Sequence, residues 1–202
     1  MYIVFVTGGI GSGKTSVCEL LGKKGAHLYS LDEVSHNVLQ DEEVKNELVR
    51  AFGDQVVSLG TVNRKALAQA AFANPSATQT LNDIMHPRIR ARLLGIIEHE
   101  NKMWKDEFPQ VLVIEVPLIE ATGPNNDFAD EIIAVSCPVD KRRERAVMRG
   151  MNEQDFDARV LAQITDTERS RYARTLFDNS QDEAHLQSQI DAWWETRFGN
   201  NS

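Results

Sequence analysis

Long apolar runs are missing from this chain of 202 residues; none approaches the roughly 20 consecutive apolar positions of a membrane-spanning helix. Cysteine is scarce. The two present, Cys18 and Cys137, lack metal-site or disulfide spacing and stand in apolar stretches, which predicts buried free thiols in a reducing cytoplasm. An excess of positive charge is absent too. Lys and Arg number 22 against 30 Asp and Glu, a formal net charge of -8, which argues against general nucleic-acid binding but leaves room for a local basic pocket. No basic segment or cleavage site marks the first residues, so no secretion signal is expected. No repeat or low-complexity tract is visible. What remains, 42% hydrophobic and 26% charged, is the balance of an ordinary globular chain: one large domain, or one carrying an insertion.

The apolar run at residues 2–6 reads as a buried strand, and residues 15–25 after it as a helix with Lys23 and Lys24 in its last turn. A second strand is expected at 27–31, ending at Asp32; further strands are expected at 111–116 and 131–137, with a weaker one at 175–179. Strand, helix, strand with apolar strands predicts a parallel sheet covered by helices on both faces. The interval from Asp32 to Val111 is far longer than a crossover requires. It reads as helical: 41–53 with Val44, Leu48, Val49 and Phe52 on one face, then 63–75, then 76–102 with Pro87 marking a bend or a new start. Such an insert, leaving a strand at its carboxyl end, either overhangs the ligand edge of the sheet or only stabilises the core. Helices are also expected at 138–150, at 152–163 with Asn152 as N-cap and Asp155 at the capping-box position, and at the C-terminus, where Leu186, Ile190, Trp193 and Phe198 pack into the core.

Against this background the loop GGIGSGKT, Gly8 to Thr15, stands out: four glycines fall within six positions, directly after a strand. Glycine costs roughly 1 kcal/mol relative to alanine inside an element, so four need a reason. The spacing G-x-x-x-x-G-K-[ST] between strand and helix is that of a phosphate loop. Glycines remove side chains that would block a triphosphate and let successive backbone N–H groups turn inward, and the helix adds its positive end. Lys14 then neutralises the β and γ phosphates of ATP, and the Thr15 hydroxyl ligates Mg2+.

A phosphate loop alone does not separate kinases from motors or switches. Asp32, at the end of the second strand, can accept the proton of an attacking hydroxyl, or can cap the next helix. Arg142, Arg145 and Arg149, with Arg159 and Arg171 beyond, suit a lid that closes on phosphates, or form a solvated helix face. The chain is also too short for a second ATPase domain.

In this order and spacing the motifs resemble those of the dephospho-CoA kinase family across essentially the whole length. VTGGIGSGKT is close to the family's opening, SLDEVSH occupies the place of its DADxxAR segment, and IMHPRI matches LxHPxI. EVPLIE matches DxPLLxE; Arg145 and Arg149 fit the lid's R-x-x-x-R, Arg159 and Gln163 the R-x-x-x-Q that follows, and FDN the IDN that closes strand five. The resemblance implies an α/β P-loop kinase core with a five-stranded parallel sheet, an inserted helical substrate domain and a helical lid. It divides the chain into a nucleotide core at 1–32, 108–138 and 172–202, an acceptor region at 33–107, and a lid at 139–171. It implies a cytoplasmic enzyme, a monomer or weak homo-oligomer without nucleic-acid or membrane partners, using ATP and Mg2+ to phosphorylate the ribose 3′-hydroxyl of dephospho-CoA. Asp32, Lys14, Arg145 and Arg149 would be catalytic. Gly8, Gly9, Ile10, Gly11, Ser12, Gly13, Lys14, Thr15 and Ser16 would bind the nucleotide, with Thr15 on the metal. Thr7, Asp32, His36, His86, Arg88, Pro117 and Leu118 would bind the acceptor.

The chain departs from the family pattern at Ser30 and His36 in the DAD segment and at Ala121, with Glu120 one place early. It departs also after Arg149, where an acidic residue is missing, and at Arg174, where the family has aspartate. These changes fall on the acceptor side and lid. They leave two other readings to weigh: a related nucleoside or nucleotide kinase, and an ATP-binding regulator whose acceptor site has decayed.

Overall fold

The computed structural model describes residues 1–104 and 108–199; the parts of the expected regions at 105–107 and 200–202 lie outside the described residues. In chain order the elements are β1 (Tyr2–Gly8), α1 (Lys14–Lys23), β2 (His27–Ser30), α2 (Leu31–Val38), α3 (Glu42–Phe52), β3 (Val57–Ser58), β4 (Thr61–Val62), α4 (Arg64–Ala71) and α5 (Pro75–Met103). They continue with β5 (Val111–Glu115), β6 (Glu131–Ser136), α6 (Val139–Met148), α7 (Glu153–Ala162), α8 (Asp166–Ser170), β7 (Thr175–Asp178) and α9 (Glu183–Phe198). The chain divides into two compact units, Met1–Leu31 with Trp104–Ser202, and Asp32–Met103.

The first unit is built on a five-stranded sheet, order β2-β5-β1-β6-β7, in which every pairing is parallel. β1 lies in the middle because both of its faces are apolar: Val4, Phe5 and Val6 are fully buried. Val4 and Val6 share a face with Val111, Val113, Ile133, Val135 and Phe177, and α1 and α9 close that face with Leu20, Leu21, Leu186, Ile190, Trp193 and Trp194. Each such side chain contributes about 1.5–3 kcal/mol on burial. β7 gave the faintest strand signal because it is an edge strand, with Leu176 57% exposed and only Phe177 buried in the core. Cys18 and Cys137 are buried free thiols, and burial pushes both thiol pKa values up.

One carboxylate is an exception inside this unit. Glu131, 2% exposed at the start of β6, accepts from Tyr2 Oη (2.7 Å), Trp193 Nε1 (3.1 Å), Arg197 Nε (2.9 Å) and Nη2 (3.1 Å), and from the Thr175 hydroxyl. Burial alone would raise its pKa, but these donors, Arg197 first, outweigh it and bring the carboxyl from 4.5 to about 2. A group depressed in this way stabilises the fold above its unfolded value and stops doing so as pH falls from about 4.5 toward about 2, a contribution of about 3 kcal/mol. Glu131→Gln should therefore lower stability at pH 7 by about 2–3 kcal/mol and flatten the acid limb of the stability curve, read by denaturant titration at several pH values. An acid limb identical to that of the parent would show that this cluster is not the titrating element.

The second unit holds the helical insert. α3 buries Val44 and Leu48 and ends at Gly53 (φ 90°), and Asn63 caps α4 by accepting from Ala66 N at 3.1 Å. The segment expected at 76–102 is a single helix: of the two readings of Pro87, a bend or a new start, the new start is not found, and α5 continues through it for 29 residues. Proline costs about 3 kcal/mol inside a helix, but Ile84, Met85, Ile89 and Leu93 are buried on either side of it, and Arg88 Nη1 donates to the Ile84 carbonyl at 2.8 Å. Tertiary burial outweighs the local penalty.

A hairpin, β3–β4, escaped the sequence reading because its strands have two residues each. Its turn places Leu59 at φ 51° and Gly60 at φ 77°, and Leu59 is fully exposed. Two positive φ values in a two-residue turn favour Asn-Gly. Leucine there carries strain of about 1–2 kcal/mol with no burial in return. Leu59→Asn should raise stability by roughly 0.5–1 kcal/mol, seen as a higher denaturant midpoint. A midpoint that stays or falls would contradict the strain argument.

The capping-box expectation at Asn152 is met in part: Asn152 Oδ1 accepts from Gln154 N at 2.7 Å as N-cap of α7. The reciprocal box is at Thr165 and Glu168, at the start of the short α8.

Candidate active site

Parallel strands deliver their carboxyl ends to one edge of the sheet, and the glycine loop leaves β1 at that edge. Gly8 lies opposite Val135 of β6, and Val6 opposite Glu115 of β5. The loop doubles back between Gly8 and Lys14. Ser12 N donates to Gly9 O at 3.1 Å, and Gly11 (φ 74°) and Gly13 (φ 96°) take the left-handed conformation that admits glycine most readily. Gly13 caps α1.

Why glycines are needed is in part different from the sequence expectation. A Cβ on Gly8 would lie 2.8 Å from the Val135 carbonyl and overlap the Ser12 hydroxyl; one on Gly9 would overlap Arg142, and one on Gly13 the Asn179 amide. The protein's own side chains, not only a ligand, close on the loop.

Within it, Lys14 Nζ donates to the carbonyls of Gly8 (3.0 Å) and Gly9 (3.4 Å), so the amine is held across the loop's first turn. Thr15, exposed at the start of α1, donates to Glu115 Oε1 at 3.2 Å and Oε2 at 3.3 Å. A hydroxyl beside a carboxylate is a pair of hard oxygen donors, the type Mg2+ takes while keeping several waters. Among the described residues no group of three or more His, Cys, Asp or Glu side chains could hold a metal.

Residues from distant segments complete the loop. Asn179, after β7, donates through Nδ2 to Ser12 O at 2.8 Å, and its own carbonyl accepts from Arg145 Nη2 at 3.0 Å. Gln163, after α7, accepts from Ile10 N at 2.9 Å. Arg145 and the exposed Arg149 line a cavity of about 330 Å3 with Gly13, Ser16, Asn179 and Gln181. Glu115, Gln163 and Asn179 all stand in motifs quoted above, but their types and spacing assign them no role. Register and chain return do.

The remaining expected residues stand on several elements. Thr7 is fully buried near the carboxyl end of β1, with its hydroxyl unpartnered. Pro117 is half-buried and Leu118 43% exposed just after β5. In the second unit, Asp32 is exposed in the first turn of α2 as its second residue, so it is not the cap of that helix. His36, exposed, is in the last turn of the same helix, and His86 is half-buried in α5. Arg88 is committed to Glu47 Oε1 at 2.5 Å and to the Ile84 carbonyl. No described helix is long and apolar enough to cross a membrane.

Comparison with known proteins agrees with this geometry. A dephospho-CoA kinase from Corynebacterium jeikeium is 38% identical over 96% of this chain and 98% of its own length, and one from Dehalococcoides mccartyi is 32% identical over 89% of each. Among solved structures, a Thermus thermophilus protein superposes with TM-score 0.82 at 25% identity, covering 97% of both chains. A dephospho-CoA kinase from Campylobacter jejuni shares the fold, with TM-score 0.70 at 22% identity over 99% of this chain and 98% of its own. The family model for dephospho-CoA kinase matches residues 2–185, nearly the whole chain and including the phosphate loop, so the protein belongs to the dephospho-CoA kinase family.

Proposed function

We propose that this protein transfers the γ-phosphate of ATP to the ribose 3′-hydroxyl of dephospho-CoA, giving coenzyme A and ADP. The observation that carries the reading is the phosphate loop, with Lys14 Nζ held at the Gly8 and Gly9 carbonyls and the amides of Gly13 to Ser16 opening α1. Those amides and the helix end would grip the phosphates, while Lys14 offsets charge on the transferred group. The cavity beside Gly13 and Ser16, lined by Arg145, Arg149 and Asn179, suits the adenosine half of the nucleotide.

Thr15 and Glu115 would hold Mg2+, which when bound supplies charge neutralisation between the β and γ phosphates. Asp32, two residues beyond the carboxyl end of β2, would take the proton of the acceptor hydroxyl. The helical unit Asp32–Met103 would bind the acceptor, with His36 and His86 on that side. The segment 139–171 would serve as the lid, held to the loop through Gln163 and Ile10.

The test is mass spectrometry of dephospho-CoA after incubation with ATP, magnesium and the protein, and a single added phosphoryl group is the expected product. Transfer to nucleosides in preference to dephospho-CoA would favour the related-kinase reading. Tight ATP binding with no transfer to any acceptor would favour a regulator.

A further inference from the structure

One arginine of the lid segment is nearer the loop than either of those assigned above. Arg142 sits in the first turn of α6, and its side chain is 7% exposed. Its guanidinium lies against Gly9, where a Cβ would overlap Nη1, and its carbonyl would stand 2.6 Å from a Cβ on Gly11. Its Nε is buried and makes no hydrogen bond. The carboxylate of Asp166 is 3.6 Å from Nη2, too far for a hydrogen bond. Asp166 directs its other oxygen to Arg169, 2.6 Å away, and Arg169 is itself 1% exposed, with Nη2 on the Ile164 carbonyl at 2.9 Å and the charge of Glu120 also acting on it. Asp166 thus serves Arg169 first. Arg142 keeps a buried charge that is only loosely matched, a costly arrangement unless an anion completes it.

Where that anion would lie follows from Lys14. Its amine and the Arg142 guanidinium converge on Gly9, while Arg145 and Arg149 line the cavity that begins at Gly13 and Ser16. In a phosphate loop the lysine marks the β and γ phosphates. We infer that Arg142 binds the γ-phosphate and stabilises the transferred phosphoryl group, its guanidinium already lying against Gly9 of the loop. The inference rests on the proposed reading that ATP occupies this loop. In the transfer the bond from the γ-phosphorus to the β–γ bridging oxygen breaks and one to the acceptor oxygen forms. The acceptor proton passes to Asp32, and ADP leaves with the bridging electrons. Arg142 neither gains nor loses a proton; its N–H groups follow the charge.

The experiment compares the full-length parent with Arg142→Gln and Arg142→Lys, measuring ATP and ADP affinity by calorimetry and phosphate transfer to dephospho-CoA. In Arg142→Gln, ADP affinity should stay within about twofold, ATP affinity should fall about tenfold, and kcat should drop on the order of 100-fold. Arg142→Lys, which keeps the charge and loses the fork, should fall between. Equal loss of ATP and ADP affinity would mark a structural role and overturn the inference, as would parental values for both. If Arg142→Gln does not fold, Arg142→Lys decides: kcat lowered tenfold with ADP affinity kept supports the inference, and parental kcat overturns it. The two readings fail differently. An Arg142-dependent preference for ATP over ADP, without transfer to dephospho-CoA, removes the proposed acceptor and leaves Arg142 at the γ-phosphate.

Discussion

Lys14→Ala is expected to lower kcat about a thousandfold and to weaken ATP binding, with little effect on folding. The amine lies 3.0 and 3.4 Å from two loop carbonyls, so its removal deletes the loop's fixed cation and leaves those carbonyl dipoles facing the phosphates. Losing one fixed donor to developing transition-state charge costs about 100- to 1000-fold, and an ionic donor to a phosphoryl group is at the upper end. Stability should hold because Lys14 opens α1, where alanine is an excellent helix former. ADP release in the presence of dephospho-CoA gives the rate, and thermal unfolding the control. A variant that keeps a tenth of parental turnover would mean that phosphates are held without this cation.

Asp32→Asn should behave differently: kcat down by about 100- to 10,000-fold, the range for removing a positioned proton acceptor, with the KM for ATP within about threefold. Asparagine keeps the shape and loses the basic oxygen. Asp32 is exposed in the first turn of α2 beside Glu33, so its charge also favours the helix's positive end. That contribution is about 0.3–1 kcal/mol, too small to unfold the unit. The split between kcat and KM therefore separates the two roles. Parental kcat with a slightly lower melting point would assign Asp32 to the helix alone.

These predictions start from a loop and a carboxylate legible in one line of text, because both depend on local rules. Four glycines, a lysine and a hydroxyl between a β-branched strand and an amphipathic helix admit few conformations, and each needs only its neighbours along the chain. The buried strands were legible for the same reason: Val4 to Val6 and Val111 to Ile114 are apolar on both faces, as a central parallel strand requires. β7 was faint because only Phe177 faces the core, and the β3–β4 hairpin was invisible because two-residue strands carry no periodicity. At Pro87 local propensity left a new helix start open beside a bend, and long-range burial carries one helix through it.

The amino-acid sequence by itself determined the phosphate loop, the alternation of strand and helix, the inserted helical stretch and, through motifs in order, the family. Only the tertiary structure decided that Glu115 stands beside Thr15, that Asn179 and Gln163 hold the loop's backbone, and that Arg142 rather than Arg145 closes on Gly9. The physical reason is separation. A turn or strand is specified by residues a few positions apart. A loop gripped by side chains more than a hundred positions away depends on sheet register and strand order, which no short stretch encodes.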